Sequence, residues 1–149
     1  MVSFVYNIWK QKLALGDSIW DVNPAAGDTM KIALVEAVLS DPDVDDVNTA
    51  LGSNEYGPTD PFTRTAVSGQ SAILDDTNNR AKLDATDTTV SAIAADGSDK
   101  VEGLLLYHDV DGNDSNAIPI AFFDLATAFY GNSSNVTFVW DSTGVITLT

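Results

Sequence analysis

Residues 101–125 read VEGLLLYHDV, then DGNDSNA, then IPIAFFDL. Two apolar runs flank a polar insert of Asp, Gly, Asn and Ser. The first run, Val101 to Tyr107, is apolar at nearly every position, the pattern of a strand covered on both faces. The second, Ile118 to Leu125, is similar and carries Phe122 and Phe123. The insert holds turn chemistry: Gly112 tolerates a positive φ, and Asn and Asp side chains bond their own backbone. Together these features predict a central antiparallel hairpin. The rest of the chain then has to supply strands and a helix to cover it.

Downstream, residues 130–135 form a turn. Val136 to Trp140 alternates, with Val136, Phe138 and Trp140 on one face, and Val145 to Leu148 is a last strand. Upstream, short strand candidates separated by turns run back to Phe62: Thr88 to Ala94, Arg80 to Asp84, Ala72 to Leu74, and FTRTAV, with Phe62 and Ala66 facing inward. Met30 to Val35 (MKIALV) alternates, Met30, Ile32 and Leu34 on one side and Lys31, Ala33 and Val35 on the other. Between them, residues 36–61 read as a long acidic loop with one short helical turn around Val44 to Leu51. Its end, Ser53 to Pro61, reads as an exposed excursion. Trp20 anchors a connector over residues 17–29. Phe4, Val5, Ile8, Trp9 and Leu13 make a helical stripe, with Ser3 as cap and Gly16 as stop. The fold class expected is mainly β: an antiparallel β-sandwich or barrel-like domain with one N-terminal α-helix over about residues 3–15. The 149 residues make one domain.

Charge narrows the function. Seven Lys and Arg face twenty-two Asp and Glu, a formal net charge of −15. No Lys or Arg follows Lys100. Such a chain repels phosphates, so neither nucleic acid nor an anionic membrane is an expected partner. There is no cysteine, which excludes disulfides and thiolate metal sites. The N-terminus lacks the basic and apolar regions of a signal peptide.

Catalytic signatures are missing. His108 is the single histidine, no G-x-S-x-G is present, and carboxylate pairs in so acidic a chain carry no specificity. The expectation is no enzyme, no catalytic residue and no cofactor. Asp109, Asp111, Asn113 and Asp114 superficially resemble a calcium loop. Counted from Asp109, however, the positions that need Gly and Glu hold Asp114 and Ile120. They stand as weak metal candidates, with a solvated hairpin turn as the stronger reading.

Three blocks carry a resemblance: the helix followed by MKIALV, then DDTNNRAKLDATDTTVSAI, then the hairpin with the closing VTFVWDSTGVITLT. Together they resemble a family of small virion structural proteins of tailed bacteriophages, head decoration or cement proteins in character. In that family a helix precedes an I-K-V-x-L-V strand, and an N-x-R-A-x-[FL]-D-A block, a hairpin and a G-I-L-x-L close follow. The matching positions are Asn79, Arg80, Ala81, Leu83, Asp84 and Ala85. In the hairpin they are Tyr107, Asp109, Pro119, Ile120, Ala121 and Asp124, and at the end Thr137, Val139, Trp140, Gly144, Ile146 and Leu148. The sequence departs from the family where its Trp falls at Val90–Ser91 and where His108 replaces a Lys.

The resemblance implies a non-enzymatic component of the virion, made in the bacterial host cytoplasm and placed on the outer head surface. Its partners would be the major capsid protein and copies of itself, as a homo-oligomer on the particle. Phe4, Ile8, Trp9, Tyr56 and Phe62 are the candidate interface residues, on the N-terminal helix and the Ser53 to Pro61 loop. A tail, neck or fibre-associated module is the alternative, with Tyr56, Phe129 and Tyr130 exposed to a receptor or partner.

Overall fold

The computed structural model describes residues 3–16, 28–57 and 64–148. Trp20, Phe62 and most of the expected connector lie outside them. The described chain runs β1 (Phe4–Val5), α1 (Asn7–Leu15), β2 (Thr29–Val35), α2 (Val47–Leu51), β3 (Thr65–Ala66) and β4 (Ser71–Asp75). It continues through β5 (Arg80–Asp84), β6 (Thr88–Ile93), β7 (Val101–Asp109), β8 (Ile118–Phe129), β9 (Ser134–Phe138) and β10 (Ile146–Leu148). The protein is therefore mainly β, with antiparallel pairing throughout and an N-terminal helix.

The expected hairpin is the centre of the largest sheet, whose order is β1-β8-β7-β2-β3. β7 pairs with β8 on one side and with β2, from Thr29↔Asp109 to Val35↔Gly103, on the other. It is buried along its length apart from a half-buried Glu102. Gly112 adopts φ 80° in the turn, as its place required. The hairpin is bulged: Leu106 pairs with Ala121 but Tyr107 pairs with Pro119. Ile120 falls at the bulge, and on the other side of β8 its carbonyl accepts from the Tyr6 N–H at 2.9 Å, extending the β1 pairing. Pro119, which has no N–H to give, sits beside that irregularity.

Each face of this sheet has its own core. On one face, Met30, Ile32, Leu34, Leu104, Leu106 and Ile120 pack against Leu83, Val90, Ile93, Phe138 and Ile146. Those come from a three-stranded sheet, β10-β5-β4, and a two-stranded one, β6-β9, which together form the second layer of a sandwich-like arrangement. On the other face, Ala33, Val35, Leu105, Tyr107 and Phe122 are covered by Leu39, Val47, Ala50 and Leu51, with Tyr6 and Ala117. The alternation expected for MKIALV thus holds, with both sides buried.

α1 begins later than its apolar stripe implied. Phe4 and Val5 pair with Phe122 and Ala121 as an edge strand. The residue before the helix is Tyr6, without a side-chain cap, while Ser3 Oγ accepts from Asp124 N–H at 3.1 Å. Gly16 ends the helix at φ 77° as expected. The short helical turn in the acidic loop is α2, capped by Asp46, whose carboxylate accepts from Thr49 N–H at 2.8 Å. In β3 the inward residue is Val67, just past the strand, and Ala66 is exposed. Trp140 is half-buried, lies 5.7 Å from Phe123 between ring centroids, and donates its indole N–H to Thr86 O at 3.1 Å.

Gly103 shows how closely β7 and β8 pack within the sheet. A Cβ there would lie 2.4 Å from the Phe122 ring and 2.8 Å from the Phe123 carbonyl oxygen. Backbone cannot yield as a flexible side chain can, so Gly103→Ala is expected to destabilise by about 1–3 kcal/mol. Urea denaturation measures this, and an unchanged midpoint would refute the packing.

Candidate functional site

The hairpin turn and its surroundings gather most of the chemistry-bearing side chains singled out from the sequence. Each oxygen of the weak calcium candidates has a protein donor. Asp109 Oδ1 accepts from Gly112 N–H at 2.6 Å, and its Oδ2 is 2.5 Å from Lys31 Nζ. Asp111 accepts from Asn113 N–H at 2.9 Å and from Asn116 Nδ2 at 2.7 Å. Asn113 accepts from Ser115 N–H at 3.1 Å. Asp114 faces away, toward Arg64. Asp109, Asp111 and Asn113 therefore build the turn, Asp114 serves Arg64, and the four do not converge on a cation position. Burial opposes ionisation of Asp109, but the bonds from Lys31 and Gly112 outweigh it and hold its pKa below the usual value.

Arg64, which the sequence reading did not single out, is the centre of a wider network. Its Nε and Nη2 donate to the two oxygens of Glu55, both at 2.7 Å. Nη2 also donates to Asp114 Oδ2 at 2.7 Å, and Nη1 to Asp114 Oδ1. The guanidinium carbon stands 5.5 Å from the Tyr107 ring centroid. The bond from Glu55 is the largest of the effects that raise the Arg64 pKa, so it stays charged. Burial pushes Tyr107 up to about 12. One cation thus ties the 53–57 segment, the hairpin turn and β7 together. Of its two carboxylate partners, Glu55 is nine residues away in the chain and Asp114 fifty.

Tyr56 corrects the expected exposed excursion. Its side chain is fully buried. Its N–H donates to Leu34 O at 2.9 Å, its hydroxyl donates to Ala94 O at 3.0 Å and accepts from Gly131 N–H at 3.1 Å. Residues 53–57 are therefore folded onto the end of β2, and Tyr56 is no contact residue. Trp9 is also fully buried, so it too is lost as an interface candidate. Phe4 and Ile8 are half-buried against the cores. Among the described residues the large apolar side chains that stay exposed are others: Leu15, Val38, Ile73, Leu74, Val110, Tyr130 and Val139.

Two further features complete the inventory. Glu36, Asp96 and Asp99 bring carboxylate oxygens within 4.8 Å of one another. Burial and the two aspartates raise the Glu36 pKa. Exposed acids group this way without an ion as well, and the geometry alone does not make a metal site. A shallow apolar cleft of about 230 Å³ lies between Leu104, Phe123, Leu125 and the 138–145 segment. Among the described residues no helix is long and apolar enough to cross a membrane. No family model, curated protein or solved structure matches the chain.

His108 is 3% exposed, with its Nε2 3.8 Å from Asp28. Burial lowers its pKa below the ordinary 6.5, against the pull of Asp28 and Asp109. The unfolded chain therefore takes up this proton at higher pH than the folded one. Stability from neutral His108 is complete above about pH 6.5 and declines as pH falls below it. His108→Gln is expected to remove that loss, so the wild-type and variant melting curves should diverge progressively as pH falls below about 6.5. Parallel profiles would exclude His108 as the titrating group. Separately, Arg64→Met leaves Glu55 and Asp114 without their cation. Because the network is partly solvated, the cost expected is about 2 kcal/mol rather than the full buried-pair penalty. A denaturation midpoint equal to wild type would show the network to be idle.

Proposed function

We propose that this chain is a non-enzymatic structural protein of a tailed-bacteriophage particle, in the first instance a capsid decoration protein. It would bind the outer head shell, with the major capsid protein and further copies of itself as partners, and stabilise capsomer contacts. The observation that carries this reading is where the resembling positions sit. Leu83 from the second block and Ile120, Ala121 and Ile146 from the third share one core, with Ala85, Trp140 and Leu148 packed on it. The likeness to the virion family therefore follows one folded unit rather than scattered loops. Charge supports the same reading: a protein of net charge −15 with an apolar minority on its edges suits protein contact better than phosphate recognition. The polar groups at the hairpin turn bond one another, which suits an architectural part.

A tail or fibre module keeps one observation in its favour. Tyr130 is 57% exposed, with Lys100 Nζ 5.0 Å from its ring centroid. Cryo-electron microscopy of purified particles that contain the chain separates the two. Density on the outer head lattice is the expected result. Density at the tail or neck would favour the module, and absence from particles would end the virion reading.

A further inference from the structure

The β4–β5 hairpin leaves an open sheet edge. Among the described residues only β5 pairs with β4. Ala72, Ile73 and Leu74 are all exposed, Ile73 at 47% and Leu74 at 73%. An uncovered apolar edge is a template for another strand. We infer that a second copy of this chain pairs there, β4 against β4, antiparallel about a two-fold axis at Ile73. The inference does not depend on the virion reading.

Register selects this occupant. The two-fold sets Ile73 opposite Ile73, Ala72 opposite Leu74, and Ser71 opposite Asp75. Odd positions meet odd and even meet even. The backbone groups that point away from β5 on one copy therefore meet those that point away from β5 on the other. No charge faces a like charge, since Asp75 meets a serine.

The side-chain rows agree. The pairings within one copy put Leu148, Ala81 and Leu74 in one row and Ile146, Leu83 and Ala72 in another. Two-fold pairing joins the first row of one copy to the second row of its mate. The result is an apolar row unbroken across all the strands of a doubled β10-β5-β4 sheet. A slip of one residue would destroy it. Charge also favours this place. Residues 71–84 hold Arg80 and Lys82 against Asp75, Asp76 and Asp84, close to neutral in a chain of net charge −15. Arg80 Nε and Lys82 Nζ lie 2.8 and 3.6 Å from Asp75. Two acidic copies repel less through this hairpin than through aspartate-rich segments such as residues 41–46.

The absence of cysteine gives a clean test. Ile73→Cys would place two thiols directly opposite, within disulfide reach, whereas Leu74→Cys would place them diagonally, about 7–8 Å apart. Under mild oxidation of the full-length protein, the first variant is expected to form a covalent dimer and the second to remain largely uncrosslinked. Sedimentation equilibrium of the wild type should show a monomer–dimer equilibrium that tightens with salt. Ile73→Lys should weaken it roughly tenfold or more without changing the circular dichroism spectrum. A wild type that stays monomeric, whether this edge is empty or taken by another protein, overturns the inference. So does a dimer indifferent to Ile73→Lys, or equal crosslinking of the two cysteine variants.

Discussion

β7 is apolar toward both faces, and most of the architecture follows from that one fact. A strand of this kind cannot sit in a sheet with a wet side. One face receives the smaller sheets, through Leu83, Val90, Ile93, Phe138 and Ile146. Among the described residues the other receives no sheet. It is covered by Leu39, Val47, Ala50 and Leu51 from the acidic segment between β2 and β3, with Tyr6 at its edge. This explains why a stretch rich in aspartate is ordered. Its apolar residues face the sheet, α2 forms as a five-residue lid, and exposed Asp41, Asp43 and Asp45 remain outside. The N–H groups that open the lid donate to Ala117 O and Asp114 O, so cover and hairpin turn share hydrogen bonds as well as apolar contact.

Arg64 closes that face at its polar end. Burying one guanidinium with two carboxylates costs desolvation that the pairing does not always recover. Its structural effect is clearer than its net energy: residues 53–57 and the β7 hairpin, about fifty residues further along, are placed around one planar group with fixed donor directions. Lys31 does a smaller version of the same task with Asp109. Two of the seven basic residues are thereby committed inside the fold, and the exterior is left correspondingly acidic.

What could be read from the sequence was what periodicity and turn chemistry encode locally. The hairpin, the MKIALV strand with its two faces, the Gly16 stop and the helical turn in the acidic loop all belong to that class. The helix start did not, because Phe4 and Val5 fit a helical stripe and an edge strand equally well. The open side of β8 decided the matter. Tyr56 was hidden by its neighbours: Asn54, Gly57 and Pro58 signal a surface turn, and nothing local shows that one ring among them reaches Ala94 and Gly131. Arg64 was illegible for a related reason, since an ion pair across fifty residues leaves no spacing to recognise.

The sheet edges show how such a protein avoids indiscriminate pairing. β1 and β3, at the ends of the large sheet, have two residues each, and β10 has three. Edges that short offer little to a foreign strand. β6 is interrupted by a register shift at Ala92, whose φ is 50°, and β9 exposes Ser134, Asn135 and Thr137. β4 has none of these devices: it is five residues long and exposes Ile73 and Leu74. A charge of −15 supplies the missing protection at long range, because any approach by another copy is repelled until the surfaces are closely aligned. Long-range repulsion of this kind does not forbid association. It removes the many weakly bound orientations and leaves those in which a short, nearly neutral strand can complete its hydrogen bonds.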